Sequence, residues 1–213
     1  MPEQGEARTI GRVAVIGAGT MGRQIATLVA ASGREVRMYD LLPAALDVAI
    51  EKIREELRTI PTMPQYAHHQ FRLEPPADHD ALVARITIAG SLEEALEGAD
   101  LMIEAIREDL DTKQAFHRRA SELAPGIILA TNSSSIPSGL IAPAVSDPSR
   151  LMNMHFFAPI WQRCMVELMG CGETSPEVMA AAEAFGKSLG IVVAVVRGES
   201  KGFIINRVWR AVK

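Results

Sequence analysis

Read for its hydrophobic and polar positions, the chain alternates between two periods. Arg12 to Ile16 is almost continuously apolar and runs into glycine, the pattern of a parallel strand buried on both faces. Met21, Ile25, Leu28 and Val29 then recur at helical spacing as far as Gly33. Glu35 to Asp40 reads as a second strand. The helix after it has Pro43 in its first turn, Leu46, Ile50, Ile53 and Leu57 on one face, and Pro61 to close it. The rhythm breaks over residues 62–80, where Pro64, Pro75, Pro76, His68, His69 and His79 predict an irregular, exposed excursion.

The alternation then resumes. Arg85 to Ala89 is a strand, and Ser91 with Glu94 makes a capping-box pattern. Leu101 to Ala105 is a strand, and Lys113 to Leu123 lies on a helix closed by Pro125 and Gly126. Ile127 to Thr131, Leu151 to His155 and Met165 to Met169 are further strands. Ser175 and Pro176 open a helix that stops at Gly190, and Ile191 to Val196 is a last strand. Such alternation predicts an α/β fold, a Rossmann-type doubly wound and mostly parallel sheet with helices on both faces, over residues 1–200. Residues 201–213 begin what reads as a further helix.

Composition narrows the partners. A formal net charge of −4 supplies no general basic surface, so nucleic acid is not expected. The polar, acidic start lacks a signal pattern, and no apolar run reaches the ~18 residues of a membrane span. The expectation is a cytoplasmic protein with no membrane partner. Cys164 and Cys171 match no zinc spacing, so they are expected to be reduced thiols and no metal site is expected.

The chemistry begins at Gly17-Ala18-Gly19-Thr20-Met21-Gly22, a G-x-G-x-x-G that follows a buried strand and opens a helix. Gly17 allows the tight turn, Gly19 lets a pyrophosphate approach the backbone, and Gly22 lets helix and strand pack closely. The helix N-terminus, at Thr20 and Met21, turns unpaired N–H groups and a positive dipole end to phosphate. Asp40 ends the second strand, where a carboxylate accepts hydrogen bonds from the adenosine ribose. The residues after it are Leu41, Leu42 and Pro43, none of them basic, which favours NAD over NADP. The competing reading makes Asp40 a cap for the helix at Pro43.

Hydride transfer from an alcohol needs a base for the hydroxyl proton, and histidine suits the task. His68, His69 and His79 fall in the polar excursion, and His117 stands beside Arg118 and Arg119, so all four are expected to be solvated. His155 instead closes an apolar strand, at the end where open α/β sheets bind ligands. Glu167 lies inside the next apolar strand, where an unpaired carboxylate is costly, and His155 is the natural partner. The alternative is that each is separately structural.

Taken together, Gly17 to Gly22, Glu104-Ala105-Ile106-Arg107-Glu108-Asp109-Leu110 with Lys113, Thr131-Asn132-Ser133-Ser134-Ser135, His155-Phe156-Phe157-Ala158-Pro159 and Gly202-Phe203-Ile204-Ile205-Asn206-Arg207 resemble the L-3-hydroxyacyl-CoA dehydrogenases. The resemblance implies oxidation of an L-3-hydroxyacyl-CoA to the 3-ketoacyl-CoA with NAD. It implies His155 as base, Glu167 as its electrostatic partner, and Ser134 on the substrate oxygen near the nicotinamide. It also implies Asn206 at the substrate's reacting end, and Glu108 and Lys113 near the nicotinamide ribose. An acyl-CoA-type substrate, and a homodimer or a separate C-terminal partner, are implied with it.

The chain departs from the family in three places. Ala158 stands where the family usually has asparagine. The stretch 57–80 does not match the family's CoA-contacting excursion, leaving only Arg54 and Arg58 as candidates for CoA phosphates. The sequence stops where the family's C-terminal helical domain begins, an apparent truncation. Two other functions stay open, a dehydrogenase of another 3-hydroxy acid or polyol and a non-catalytic NAD-binding subunit.

Overall fold

The computed structural model describes residues 8–59 and 78–199. Its frame is one sheet of eight strands: β1 (Arg12–Ile16), β2 (Glu35–Tyr39), β3 (Ile86–Ile88), β4 (Leu101–Glu104), β5 (Ile128–Thr131), β6 (Leu151–Phe156), β7 (Met165–Gly170) and β8 (Val192–Val196). They lie in the order β3-β2-β1-β4-β5-β6-β7-β8. Neighbours are parallel except β6 and β7, which pair antiparallel. The helices are α1 (Thr20–Ala31), α2 (Pro43–Thr59), α3 (His79–Val83), α4 (Leu92–Leu96), α5 (Leu110–Leu123), α6 (Ser138–Ile141) and α7 (Pro176–Ser188).

The continuous apolar strands are continuous because both faces are covered. In β1, Val13 and Val15 join the core beneath α1, α2 and α7, while Ala14 and Ile16 join the core beneath α4 and α5. β4 divides in the same way, with Leu101 and Ile103 on one side and Met102 on the other. At the open edge β8 is only half covered, and Val192 and Val195 are exposed.

Periodicity misplaced some boundaries. The excursion ends before residue 80, because the Asp78 side chain accepts hydrogen bonds from the backbone N–H of Asp80 and Ala81 and starts α3 at His79. The short α6 and two 3-10 turns, Ala142–Ala144 and Pro148–Arg150, fill a stretch that periodicity left unassigned. The expectations for Pro61, His68, His69, residues 201–213 and Asn206 lie outside the described residues. Among the described residues, no helix is long and apolar enough to cross a membrane.

Candidate functional site

The site is built where β1, β4, β5 and β6 end. At Gly17 the chain turns with φ +104°, and an added Cβ would lie 2.6 Å from the Ala105 carbonyl oxygen. At Gly22 it would lie 1.8 Å from the Gly17 carbonyl oxygen, so only glycine lets α1 sit this close to β1. At Gly19 a Cβ would meet nothing within 4 Å, so the space over the loop is open.

The end of α1 at Thr20 and Met21 shares its lack of a side-chain cap only with the one-turn α6 among the α-helices whose N-caps are described. Side chains of Asp78, Ser91, Asp109 and Ser175 cap α3, α4, α5 and α7. α1 begins at Gly19 with no side-chain cap and no acid in its first turn. Uncapped N–H groups, a positive dipole end and open space above Gly19 fit a dinucleotide pyrophosphate.

Asp40 ties the loop to the second strand. Its Oδ2 accepts from Ala18 N at 2.8 Å and its Oδ1 from Leu42 N at 2.9 Å. It therefore does hold the turn into α2, and each carboxylate oxygen keeps capacity for a ribose hydroxyl.

His155 and Glu167 are direct partners in the antiparallel β6–β7 register, so their side chains share a face. His155 Nδ1 lies 3.2 Å from Glu167 Oε2. Glu167 is fully buried and His155 nearly so. A carboxylate on Nδ1 makes that nitrogen the donor and leaves Nε2 the basic one. Burial lowers the imidazole below its ordinary value, against the opposing pull of Glu167 and Glu108. The ring is therefore neutral near pH 7 and able to accept a proton. Phe157 tilts against it, with ring centroids 4.3 Å apart.

Facing this pair is a loop of serines gathered on one carboxylate. Glu108 Oε1 accepts from Ser133 Oγ (2.5 Å), Ser135 Oγ (2.7 Å), Ser135 N (3.0 Å) and Ser134 N (3.2 Å). Burial alone would raise the Glu108 carboxyl, but the two serine hydroxyls and Lys113 hold it below its usual range. Asn132 Oδ1 accepts from Phe156 N at 2.9 Å and joins the serine loop to the histidine strand. The result is a cleft of about 430 Å³ that brings together Met21, Glu108, Lys113, Ser134 and His155, with Ala158 and Arg163 on its rim.

Beneath the cleft lies a buried charge cluster. Glu104, at the end of β4, accepts on Oε1 from Lys113 Nζ (2.5 Å) and Ile106 N (2.9 Å). Its Oε2 accepts from Thr131 Oγ1 (2.8 Å) and lies 3.3 Å from His117 Nε2. Burial works to raise this carboxyl, yet the His117 hydrogen bond and the Lys113 charge hold it at about 2. Lys113 Nζ also lies 3.5 Å from Glu108 Oε2, which connects the cluster to the serine loop.

This overturns the expectation for His117, which is fully buried rather than solvated. On α5 the buried face is Lys113, His117, Ala120 and Ser121, a helical spacing with polar side chains where apolar ones are usual. Glu104 and Thr131 were also missed as site residues. Glu104 carries the signal that marked Glu167, a carboxylate in an apolar strand.

Arg54 pairs with Asp80 across α2 and α3 rather than standing free for a phosphate. Both cysteines are free thiols, Cys171 buried and Cys164 partly so. No metal-binding group of side chains occurs among the described residues.

Comparison with known proteins agrees with this frame. A family model described as 3-hydroxyacyl-CoA dehydrogenase, NAD binding domain, matches residues 12–200. A probable 3-hydroxybutyryl-CoA dehydrogenase of Bacillus subtilis (strain 168) is 36% identical over 93% of this chain and 66% of its own length. The 5-formyl-3-hydroxy-2-methylpyridine 4-carboxylate 5-dehydrogenase of Mesorhizobium japonicum is 29% identical over 93% of this chain and 61% of its own length. The crystal structure of an (S)-3-hydroxybutyryl-CoA dehydrogenase from Ralstonia eutropha superposes with a TM-score of 0.84 at 32% identity, covering 94% of this chain and 68% of that one. The chain thus spans just under two thirds of the curated relatives named here. An eight-stranded Rossmann sheet, a glycine loop at the start of α1 and a family match across nearly all the described residues place this chain among the 3-hydroxyacyl-CoA dehydrogenases, as their NAD-binding domain.

Proposed function

We propose that the protein oxidises a 3-hydroxyacyl-CoA to the 3-ketoacyl-CoA, and that His155 is the base. The observation that supports this best is the His155–Glu167 pair, at the strand end that borders the same cleft as Met21 of the cofactor helix.

The glycine loop and the N–H groups at Thr20 and Met21 would hold the pyrophosphate, and Asp40 the adenosine ribose. Glu108 and Lys113 border the space for the nicotinamide ribose. Bound NAD supplies the acceptor for the hydride that leaves the substrate carbon. Ser134 hydrogen-bonds the substrate oxygen, and His155 Nε2 takes the hydroxyl proton as the carbonyl forms. Glu167 fixes the tautomer and stabilises the imidazolium that results. In this reading Asn206 holds the substrate's reacting end, and a further C-terminal segment, in the same chain or in a partner, completes the acyl-CoA side.

The test is NADH absorbance with NAD and 3-hydroxybutyryl-CoA, and in reverse with acetoacetyl-CoA. His155→Gln should abolish turnover and leave NAD affinity intact, and an active variant would refute the assignment. The assay is repeated with a C-terminal helical segment in trans. A second reading, a dehydrogenase of another 3-hydroxy acid, is favoured by Ala158 on the cleft rim and by the Mesorhizobium relative.

A further inference from the structure

We propose that Arg163 selects substrates whose acyl chain carries a carboxylate close to the reacting carbon, so that the preferred thioester is that of a 3-hydroxy dicarboxylic acid. The proposal rests on the cleft being the 3-hydroxyacyl thioester site. Arg163 borders the cleft on the segment that follows His155, beside Phe157 and Ala158.

Its backbone is hydrogen-bonded on both sides. Arg163 N donates to Pro159 O at 3.1 Å, Arg163 O accepts from Met165 N at 2.6 Å, and Ile160 N donates to the buried Gln24 Oε1 on α1 at 3.0 Å. The guanidinium itself meets no carboxylate among the described residues. Other arginines do, as Arg23 reaches Glu56 and Arg150 reaches Asp147.

The carboxylates nearest the cleft are already committed. Glu108 holds the serine loop and approaches Lys113, Glu104 holds Lys113, and Glu167 holds His155. Arg163 is exposed at a cleft whose acids are matched internally and has no counter-charge among the described residues, and a planar guanidinium suits a carboxylate bidentately. Ala158, one of the smallest side chains, lines the same cleft. The phosphates of the two nucleotides are the competing anions. CoA phosphates lie a full pantetheine arm from the thioester, and the pyrophosphate belongs at the glycine loop.

The experiment measures kcat/KM with NADH for 3-ketoadipyl-CoA and acetoacetyl-CoA, in the unmutated protein, Arg163→Met and Arg163→Lys, with NADH affinity by calorimetry. The unmutated protein should favour 3-ketoadipyl-CoA. Arg163→Met should lose roughly tenfold to a hundredfold on that substrate, the scale of one hydrogen bond to a charged group. On acetoacetyl-CoA it should change by no more than about threefold, as for an ordinary surface substitution. Arg163→Lys should fall between, and NADH affinity should not move.

Equal losses on both substrates, or no loss on either, overturn the proposal. Weaker NADH binding in Arg163→Met reassigns the side chain to the pyrophosphate and also overturns it. If the unmutated protein reduces neither thioester, the proposed reaction fails, and Arg163 is then judged by titrating the NADH complex with both. Tighter binding of 3-ketoadipyl-CoA that disappears in Arg163→Met upholds the arginine's role, and equal binding sinks it.

Discussion

His155 and Glu167 stand opposite each other in the antiparallel ladder of β6 and β7, with Nδ1 and Oε2 3.2 Å apart in a water-poor interior. Burial and the carboxylate act on the imidazole in opposite directions, and burial is the larger effect.

This balance gives a signed pH test. The acid limb of the kcat/KM profile should lie below the ordinary histidine value of about 6.5. Glu167→Gln removes the contribution that raises the imidazole, so the limb should shift to still lower pH and kcat should fall by roughly tenfold to a hundredfold. A limb unmoved by Glu167→Gln would detach that limb from His155.

The glycines separate folding from cofactor binding. Gly22→Ala puts a methyl against the Gly17 carbonyl and should lower the melting temperature, at a cost of at least about 1–3 kcal/mol for overpacking. Gly19→Ala meets only open space in the protein, so it should melt as the unmutated protein does while NAD affinity falls. Thermal melts and calorimetry on the same two variants check both halves.

Asp40→Ala should weaken NAD by about 1–3 kcal/mol, the scale of a charged hydrogen bond. It also strips the acceptor from Ala18 N and Leu42 N, so the melting temperature should drop. Unchanged NAD affinity with a lowered melting temperature would leave Asp40 only its role in the turn.

Glu104 makes the protein sensitive to acid. Its carboxyl is held at about 2 rather than 4.5, so it contributes stability above pH 4.5 that is lost as pH falls toward 2. A shift of that size corresponds to about 3 kcal/mol. Glu104→Gln, which breaks a buried ion pair, should cost about 3–5 kcal/mol at neutral pH and flatten the decline between pH 4.5 and 2. Urea unfolding at stepped pH measures both.

Legibility in the sequence followed the size of the apolar signal. β1, β4, β5 and β6 are buried on both faces, and their unbroken apolar runs place them within a residue or two. The glycine loop was legible because backbone geometry itself demands the residue type, as Gly17 and Gly22 show. His117 was misread because charge beside it in sequence, at Arg118 and Arg119, does not lie beside it on the helix. The inward row is Lys113, His117 and Ala120, and its two polar members both reach Glu104 on another element. Such pairing depends on contacts between β4 and α5 that no local pattern contains. Ser133 to Ser135 entered only through the family resemblance, and their convergence on Glu108 exists only in three dimensions.

The reversal of direction between β6 and β7 has one more consequence. Because ladder register sets His155 against Glu167, a slip of one residue would turn the carboxylate to the opposite face of the sheet. The connection between them, residues 157–164, sets Phe157 against the imidazole and carries Ala158 and Arg163 into the cleft. In the proposed reading the ladder carries the proton chemistry, and Ala158 and Arg163 on the connection bear on substrate choice. Under the proposed function, a change of charge at position 158 or 163 would then alter the acyl group accepted while the ladder keeps His155 against Glu167.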